Sequence, residues 1–269
     1  MHKKPKLIFF GDLAPKYLSG TSIAAKTNLD VLKSKYQIHH FEEGDNWDQH
    51  SKITILKISA VLKKVYAIFK ICRLEDPEIF YSHLPSSIFG MLKIISINLA
   101  VSFGCSARIV LHLHRGDFRQ NYEGSFVFRV LTTIIDIQTN TIISLSSKHK
   151  KTLVNIFNKS RLEILENTIE KEYKTVKETH HKISFLFISN YIIEKGILDI
   201  LSVFKDLSKD YQNIDLHTYG NTFDKKVREK IEKFNSNNIH IHDEIKGEKK
   251  FKVIANSNFF ILPSWNEGQ

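Results

Sequence analysis

Short runs rich in β-branched and aromatic residues alternate along almost the whole chain with longer segments whose apolar residues recur at helical spacing. In the first two thirds of the chain the predicted strands are KLIFF (6–10), QIHHF (37–41), EIFYS (78–82), RIVLHLH (108–114), TIISLS (141–146) and LEIL (162–165). Parallel strands need long crossover connections, which are usually helices, so this alternation predicts mostly parallel sheets covered by helices on both faces. The predicted fold class is therefore α/β and doubly wound.

A polar segment, ENTIEKEYKTVKETHHK, interrupts the alternation. It is charged and short of apolar residues, which is typical of an interdomain linker. Strand-helix alternation then restarts with ISFLFIS (183–189) and ends on FFIL (259–262). We therefore predict two Rossmann-like domains, at 1–170 and 183–269, joined by a linker at 171–182. Because the last strand lacks a covering helix, we expect the second domain to be incomplete and the chain to be C-terminally truncated.

The balance of charge constrains the partners of the protein. Among 269 residues, Lys and Arg number 39 against 29 Asp and Glu, a formal net charge of +10 that favours nucleic acid, acidic lipid surfaces or phosphorylated small molecules. The sequence holds no zinc-finger, helix-turn-helix or aromatic RNA-binding motif, so nucleic acid is not expected. Cys72 and Cys105 lack metal-ligand spacing, and the first apolar run is too short for a signal peptide. These features predict a reduced, cytoplasmic protein.

One basic segment is a candidate for contact with a membrane surface. The stretch SKITILKISAVLKKVYAIFKICR (51–73) has six basic residues, no acidic residue and apolar residues at helical spacing. Such a helix can lie on an anionic membrane surface. It can equally be an ordinary helix with a solvated basic face over a packed apolar one. The sequence leaves both interpretations open.

Two groups in the second domain together indicate a site for a phosphate and a sugar. Lys195 and Gly196 come at a helix start after the strand 183–189, and Glu267 follows the strand 259–262. A lysine beside the free N–H groups of a helix N-terminus suits a diphosphate, and a carboxylate accepts hydrogen bonds from ribose or sugar hydroxyls. Taken singly, Lys195 can be a solvated lysine and Glu267 a helix-capping carboxylate. Their pairing at the carboxyl edge of a parallel sheet favours a nucleotide-sugar site.

Two positions in the first domain are further candidates. His114 ends the run LHLH, with His112 on the same face of the predicted strand, and it can also be an ordinary hydrogen-bonded histidine. Gly20 lies in the stretch SGTS near the N-terminus. It can be part of a helix entry capped by Ser19 or Thr21, or it can admit a phosphate to the helix N-terminus, and both roles can hold together.

Four stretches, in this order along the chain, resemble the retaining glycosyltransferases of the family 4 type. Members of that family have two facing Rossmann-like domains, the GT-B architecture, and include bacterial polysaccharide and lipopolysaccharide enzymes. The family's small-residue loop is similar to Leu18–Ser22, and its x-P-N-x-x-D/E segment is similar to Leu165–Glu170. Its G-R-x-x-x-x-K-G pattern is similar to Ser189–Gly196, with neutral Asn190 in place of the arginine, and its P-S-x-x-E-G turn is similar to Pro263–Gly268.

The resemblance implies an enzyme that transfers a sugar, with retention, from a nucleotide-sugar donor to a saccharide or lipid-linked acceptor in cell-surface polysaccharide or lipopolysaccharide synthesis. It implies that His114 and Glu267 are catalytic and that Gly20, Asn190, Lys195 and Glu267 bind the donor. It also implies no cofactor and no metal, because cationic groups and helix N-termini neutralise the leaving diphosphate. The absence of an Asp-x-Asp motif from the sequence agrees with this expectation.

Other interpretations remain open at this stage. The same architecture serves nucleotide-sugar epimerases, and a truncated chain can also be an inactive remnant or a peripheral membrane-binding protein on the inner face of the cell membrane. His217, His240 and His242 alternate along predicted strands as sheet residues often do. We therefore predict no metal site there.

Overall fold

The computed structural model describes residues 4–17, 19–44, 54–167, 182–222 and 224–265. These residues form two compact units, one holding the described residues up to 167 and the other those from 182 onward. Of the predicted linker at 171–182, only Lys182 lies among the described residues. The linker therefore stays a prediction.

The first unit alternates strands and helices from its start. Its strands are β1 (Lys6–Phe10), β2 (Gln37–Phe41), β3 (Ile79–His83), β4 (Arg108–His112), β5 (Thr141–Ser144) and β6 (Arg161–Ile164). Its helices are α1 (Gly20–Lys35), α2 (Ile55–Glu75), α3 (Ile88–Gly104), α4 (Phe118–Gly124), α5 (Phe126–Gln138) and α6 (Ser147–Leu153). Serine or threonine side chains cap α1, α2, α3, α5 and α6 by accepting a backbone N–H of the first turn.

The six strands of this unit form one parallel sheet in the order β2-β1-β3-β4-β5-β6. Alternate residues of β1 enter two different cores, because successive side chains of a strand point to opposite faces. Leu7 and Phe9 pack with α1, whereas Ile8 and Phe10 belong to the core that includes α2, α3 and α5. The strand order reverses between β1 and β3, which is where ligands bind in open α/β sheets.

The second unit repeats the alternation. It contains β7 (Ile183–Ile188), a 3₁₀ turn (Ile193–Lys195), α7 (Ile197–Asp210), β8 (Ile214–Tyr219), α8 (Lys225–Glu232), β9 (Ile239–His242), α9 (Glu248–Asn256) and β10 (Phe259–Phe260). These strands form a parallel sheet in the order β10-β7-β8-β9. Its core lies between the sheet and helices α7 and α8. The strand order reverses between β7 and β10, so the loops after these two strands meet at the corresponding ligand-binding edge.

The prediction of an α/β fold with two Rossmann-like parallel sheets is confirmed. Element boundaries differ in places. Helical spacing in the sequence predicts one helix near 122–137, whereas the structure has two, because Ser125 ends α4 and caps α5 by accepting the N–H of Phe128. The same spacing predicts a helix over 147–159, but α6 ends at Leu153.

A buried carboxylate holds the chain that follows α6 in a non-helical course. Asp136 accepts the backbone N–H groups of Asn158, Lys159 and Ser160 at 2.8 to 2.9 Å. Because these N–H groups bond to a side chain of α5, they do not continue the helical hydrogen-bond ladder. Local helical periodicity cannot foresee a bond to a residue 22 positions earlier.

Candidate functional site

The loops that follow β7 and β10 meet at the carboxyl edge of the second sheet. The backbone N–H of Trp265 donates to the carbonyl oxygen of Glu194 at 2.9 Å, and the hydroxyl of Ser264 donates to the same oxygen at 3.4 Å. Glu194 lies in the stretch that resembles the family's first C-terminal pattern, and Ser264 and Trp265 lie in the one that resembles its P-S-x-x-E-G turn. Tertiary folding therefore brings together two motifs that are about 70 residues apart in the chain.

Gly196 is the position at which these two loops pack most closely. Its backbone is left-handed, with φ +74°, a conformation that glycine adopts without penalty. A Cβ atom at this position would lie 2.4 Å from the carbonyl oxygen of Pro263, closer than atoms can pack. The glycine of the first motif is therefore needed both for its own backbone turn and for the approach of the second motif.

Lys195 lies at the entrance to α7. It ends the 3₁₀ turn, and α7 begins two residues later at Ile197, which confirms the helix start expected from the sequence. The N-terminus of a helix presents N–H groups without intrahelical partners and a partial positive charge. Lys195 is half-buried beside this helix start, and Asn190 is exposed earlier in the same loop. The ammonium group of Lys195 and the N–H groups at the start of α7 both suit a phosphate oxygen.

Tyr191 fixes this loop from within, and it was not among the residues predicted from the sequence. Its side chain is fully buried, its hydroxyl donates to the carbonyl oxygen of His242 at 2.7 Å, and it shares a hydrogen bond with Thr218 at 3.0 Å. Burial raises the pKa of the Tyr191 phenol to about 12, so the group stays a neutral donor. A tyrosine between a polar Asn and two isoleucines gave no chemical signal in the sequence, because its partners come from β8 and β9.

Glu267 lies outside the described residues, and its predicted role stays a prediction. The same holds for Asn266 and Gly268 of the second motif. Among the described residues at the edge of the second sheet, Lys195 is the predicted site residue that carries a positive charge.

The carboxyl edge of the first sheet carries a group of four histidines: His83, His112, His114 and His149. His83 ends β3, His112 ends β4, and His114 follows two residues beyond β4. The ring of His114 lies 4.0 Å from that of His112 and 4.8 Å from that of His83, centroid to centroid. His149 sits in the first turn of α6. His114 and His112 are candidates from the sequence, whereas His83 comes from the end of β3 and His149 from helix α6.

His112 and His149 are buried, His83 and His114 are half-buried, and all four rings are electrically neutral. Burial, with the nearby His149, lowers the pKa of His114 to about 4. Burial, with His114, lowers that of His83 to about 3. Burial also lowers the pKa of His112, to about 2, and that of His149. At neutral pH the rings therefore act as uncharged donors and acceptors of hydrogen bonds.

Several nitrogens of the histidine group are shielded from solvent without a hydrogen-bond partner among the described residues. They include Nε2 of His112 and His114 and both ring nitrogens of His83 and His149. Buried polar atoms are normally satisfied, and orphaned ones call for a water or a ligand group. These nitrogens are therefore candidates for hydrogen bonds to water or to a ligand.

Tyr81 orients His112. Asn28 donates its side-chain N–H to the Tyr81 hydroxyl at 3.1 Å, and that hydroxyl lies 2.7 Å from Nδ1 of His112. Burial raises the pKa of Tyr81, which keeps its proton, so the hydroxyl donates to Nδ1. The neutral imidazole then carries its own proton on Nε2, the atom without a partner among the described residues.

Gly20 is the first residue of α1, at the ligand-binding edge of the first sheet. Ser19 caps the helix by accepting the N–H of Ser22 at 3.1 Å, so of the two caps considered from the sequence Ser19 is the one formed. Gly20 is exposed, and a Cβ atom there would meet nothing within 4 Å. The structure thus establishes the helix-entry role, while donor contact by Gly20 stays a prediction.

These features can be compared with known proteins. Residues 168–269 match the model of the family "Glycosyl transferases group 1". The glycosyltransferase match includes all the described residues of the second unit, with both loops of its ligand-binding edge. A curated relative, an uncharacterized glycosyltransferase from Methanocaldococcus jannaschii, is 25% identical over 243 residues, which cover 82% of this chain. The chain spans 58% of the length of that relative. Both matches are to glycosyltransferases.

Solved structures of glycosyltransferases share the fold. The lipopolysaccharide outer core galactosyltransferase WaaB is similar over 96% of this chain and 74% of its own, with a TM-score of 0.59 and 15% identity. A UDP-forming α,α-trehalose-phosphate synthase from Burkholderia vietnamiensis is similar over 98% of this chain and 79% of its own, with a TM-score of 0.67 and 8% identity. The α/β architecture with two Rossmann-like sheets therefore resembles that of GT-B glycosyltransferases.

Proposed function

We propose that the protein transfers a sugar from a nucleotide-sugar donor to a saccharide or lipid-linked acceptor, with retention of anomeric configuration, in the synthesis of a cell-surface polysaccharide. The observation that carries the proposal is the junction of Glu194 with Trp265 and of Gly196 with Pro263 at the switch point of the second sheet. It joins the two motifs that resemble the family, inside the residues matched by the glycosyltransferase family model. Retention follows the resemblance of these motifs alone.

The second unit would hold the donor. Lys195 and the N–H groups at the start of α7 would bind the diphosphate, with Asn190 as a neutral hydrogen-bonding neighbour. Glu267 would accept hydrogen bonds from the transferred sugar. During transfer the bond between the anomeric carbon and the diphosphate breaks, the acceptor oxygen bonds to that carbon, and the proton of the acceptor hydroxyl passes to the departing diphosphate. The cationic edge favours this step because it stabilises the negative charge that collects on the departing diphosphate.

The histidine group of the first unit would bind sugar hydroxyls. His114 would make the direct contact, since its ring follows the end of β4 and its Nε2 atom has no protein partner among the described residues. Neutral rings suit this role, because hydroxyls need both donors and acceptors. Gly20 would leave room at the start of α1 for a donor phosphate. We assign the reaction no metal and no cofactor.

A nucleoside diphosphate is the first ligand to test, and the name of the Burkholderia synthase, "UDP-forming", makes UDP the first choice. The experiment is calorimetric titration of the chain with UDP, GDP and ADP, followed by incubation with the matching nucleotide sugars. We expect binding of one of these diphosphates. The absence of binding by all three would contradict the proposed donor site.

The alternative of a nucleotide-sugar epimerase is not favoured, because the second unit matches the glycosyltransferase family model. The assay still separates the two activities. A transferase releases free nucleoside diphosphate and needs an acceptor or water. An epimerase returns an isomerised nucleotide sugar with no acceptor present.

A further part of the proposal is peripheral contact of the first unit with an anionic membrane through helix α2. Its outward stripe interleaves Leu62, 61% exposed, and Tyr66, 68% exposed, with exposed Lys63, Lys70 and Arg73. Exposed apolar and basic side chains on one face are typical of helices that lie on acidic lipid. Among the described residues no helix is long and apolar enough to span a membrane. Such contact would bring a lipid-linked acceptor to the enzyme.

A further inference from the structure

The second sheet carries a group of metal-ligating side chains on the face opposite its main core. Ile214 and Leu216 of β8 are buried in the core with α7 and α8. Because successive side chains of a strand point to opposite faces, Asp215 and His217 lie on the other face. Strand β9 pairs with β8 in a register that sets His240 directly opposite His217. Two neighbouring strands therefore place a carboxylate and two imidazoles together.

The ligand atoms of these three residues are close. One atom each from Asp215, His217 and His240 lie within 4.8 Å of one another. The Oδ1 atom of Asp215 is 3.8 Å from Nε2 of His240, and the rings of His217 and His240 stack with centroids 4.6 Å apart. Metal bonds of about 2.0–2.2 Å set ligand atoms about 3.4 Å apart in a tetrahedral site. Binding would require side-chain rotations that bring these atoms closer, and the half-buried side chains are not enclosed by the core.

A fourth residue supports the orientation of the group. Nδ1 of His217 and Nε2 of His242 are 3.2 Å apart, within hydrogen-bond distance. Histidine ligands of metal ions usually bond through their other ring nitrogen to a second protein group, which fixes the ring. His242 is in a position to fix the ring of His217 in this way.

We infer that Asp215, His217 and His240 bind a divalent transition metal ion of the Zn²⁺ class, with water completing the coordination. Two imidazoles and a carboxylate are ligands that such ions prefer over Mg²⁺ or Ca²⁺, which favour all-oxygen sites. Asp215 and His217 also line an open pocket of about 380 Å³ beside α9, which gives an ion access from solvent. This site is independent of the proposed sugar transfer.

The position of the group indicates a structural role. Asp215 is the second residue of β8, and β8 ends at Tyr219, so the group lies away from the carboxyl edge where the nucleotide loops meet. An ion bound there would tie β8 to β9. The readout of metal binding is therefore stability and stoichiometry rather than transfer.

Lys182 allows a direct test of whether Asp215 binds the ion, because the Nζ atom of Lys182 lies 3.0 Å from Oδ1 of Asp215. An ammonium group beside a carboxylate competes with a metal ion for the same oxygen. Removing this charge in Lys182→Met should therefore strengthen metal binding. A site that did not use Asp215 would not respond in this way.

The experiment is titration of the metal-free chain with ZnCl₂ by calorimetry, with a thermal melt of each sample. We expect one equivalent of Zn²⁺ to bind and to raise the melting temperature. His217→Ala and His240→Ala should each weaken binding by at least about 10-fold, and Lys182→Met should strengthen it. His39→Ala, a histidine on β2 of the other unit, is the matched control and should bind as the parent chain does.

Two results would overturn the inference. One is the absence of stoichiometric Zn²⁺ binding by the parent chain. The other is binding that survives in both His217→Ala and His240→Ala, since the ion would then sit elsewhere. Circular dichroism of each variant identifies loss of folding, and if either alanine variant is unfolded, Asp215→Asn and Lys182→Met carry the test, with opposite expected shifts in affinity.

Discussion

At the scale of single residues, Lys195 has the clearest expected effect on binding. A charged hydrogen bond contributes about 1.5–3 kcal/mol, so Lys195→Ala should weaken nucleoside diphosphate binding by about 10- to 100-fold. The measurement is the dissociation constant by calorimetry. Lys209→Ala, at the opposite end of the same helix, removes an equal charge and should leave the affinity unchanged. Equal affinities for the parent chain and Lys195→Ala would remove this lysine from the site.

For His114 we expect an effect on sugar transfer rather than on diphosphate binding. Because its Nε2 atom has no partner among the described residues, loss of the ring should remove a sugar contact without breaking a protein hydrogen bond to that atom. His114→Ala should lower kcat/KM for transfer by about 10-fold or more while diphosphate binding stays the same. The measurement is transfer kinetics beside UDP calorimetry. Unchanged kinetics would assign His114 to packing.

The lowered pKa values of the histidines also predict how the stability of the fold depends on pH. His83 has its pKa held at about 3 in the folded protein, below the ordinary value of 6.5, so the unfolded chain takes up the proton first as pH falls. Stability from this group is therefore fully present above pH 6.5 and is lost as pH falls from there towards 3. Between pH 7.5 and pH 5 the loss is about 2 kcal/mol. Urea unfolding at both pH values should show a smaller loss for His83→Gln, and equal losses would contradict the assignment.

At the scale of elements, the junction of the two C-terminal motifs depends on Gly196. An alanine there is strained by the left-handed backbone and collides with Pro263. Gly196→Ala should destabilise the second unit by about 1–3 kcal/mol and weaken diphosphate binding. The measurement is urea unfolding together with calorimetry. Gly124→Ala, where a Cβ meets nothing within 4 Å, is the control and should change neither quantity beyond about 0.5 kcal/mol.

Helix α2 tests the membrane part of the proposal. Reversing two exposed charges in Lys63→Glu/Lys70→Glu should abolish sedimentation with vesicles that contain anionic lipid, because each basic residue near such a surface contributes about 1 kcal/mol. Lys226→Glu/Lys230→Glu on α8 makes the same change of charge in the second unit and should still sediment. If both double variants behave alike, net charge rather than α2 governs the interaction.

At the scale of the whole molecule, a nucleoside diphosphate should act mainly on the second unit, whose loops would hold the diphosphate. At a concentration 100 times its dissociation constant, a ligand stabilises the unit that binds it by about 2.7 kcal/mol. Hydrogen exchange with saturating UDP should show protection over 189–197 and 259–265 and none over 108–115. Protection confined to the first unit would place the nucleotide site elsewhere.

The sequence by itself determined the α/β class and the order of elements. Runs of β-branched residues specify the strands, and apolar residues at helical spacing specify the helices. Each of these patterns acts over a few residues. The helix start behind Lys195 and the cap at Ser19 were visible for the same reason. The sequence also placed His114 at a strand end, because the run RIVLHLH marks the strand.

Only the tertiary structure decided which residues meet. His83 joins His114 because β3 and β4 are neighbours in register, and Tyr191 gains its partners from strands more than 20 residues away. Asp215 and His240 meet through the pairing of β8 with β9, and Asp136 binds the backbone N–H groups of residues 158–160, which lie beyond the end of α6. These contacts depend on strand order and register. Both are set by burial of the whole sheet rather than by any short stretch of sequence.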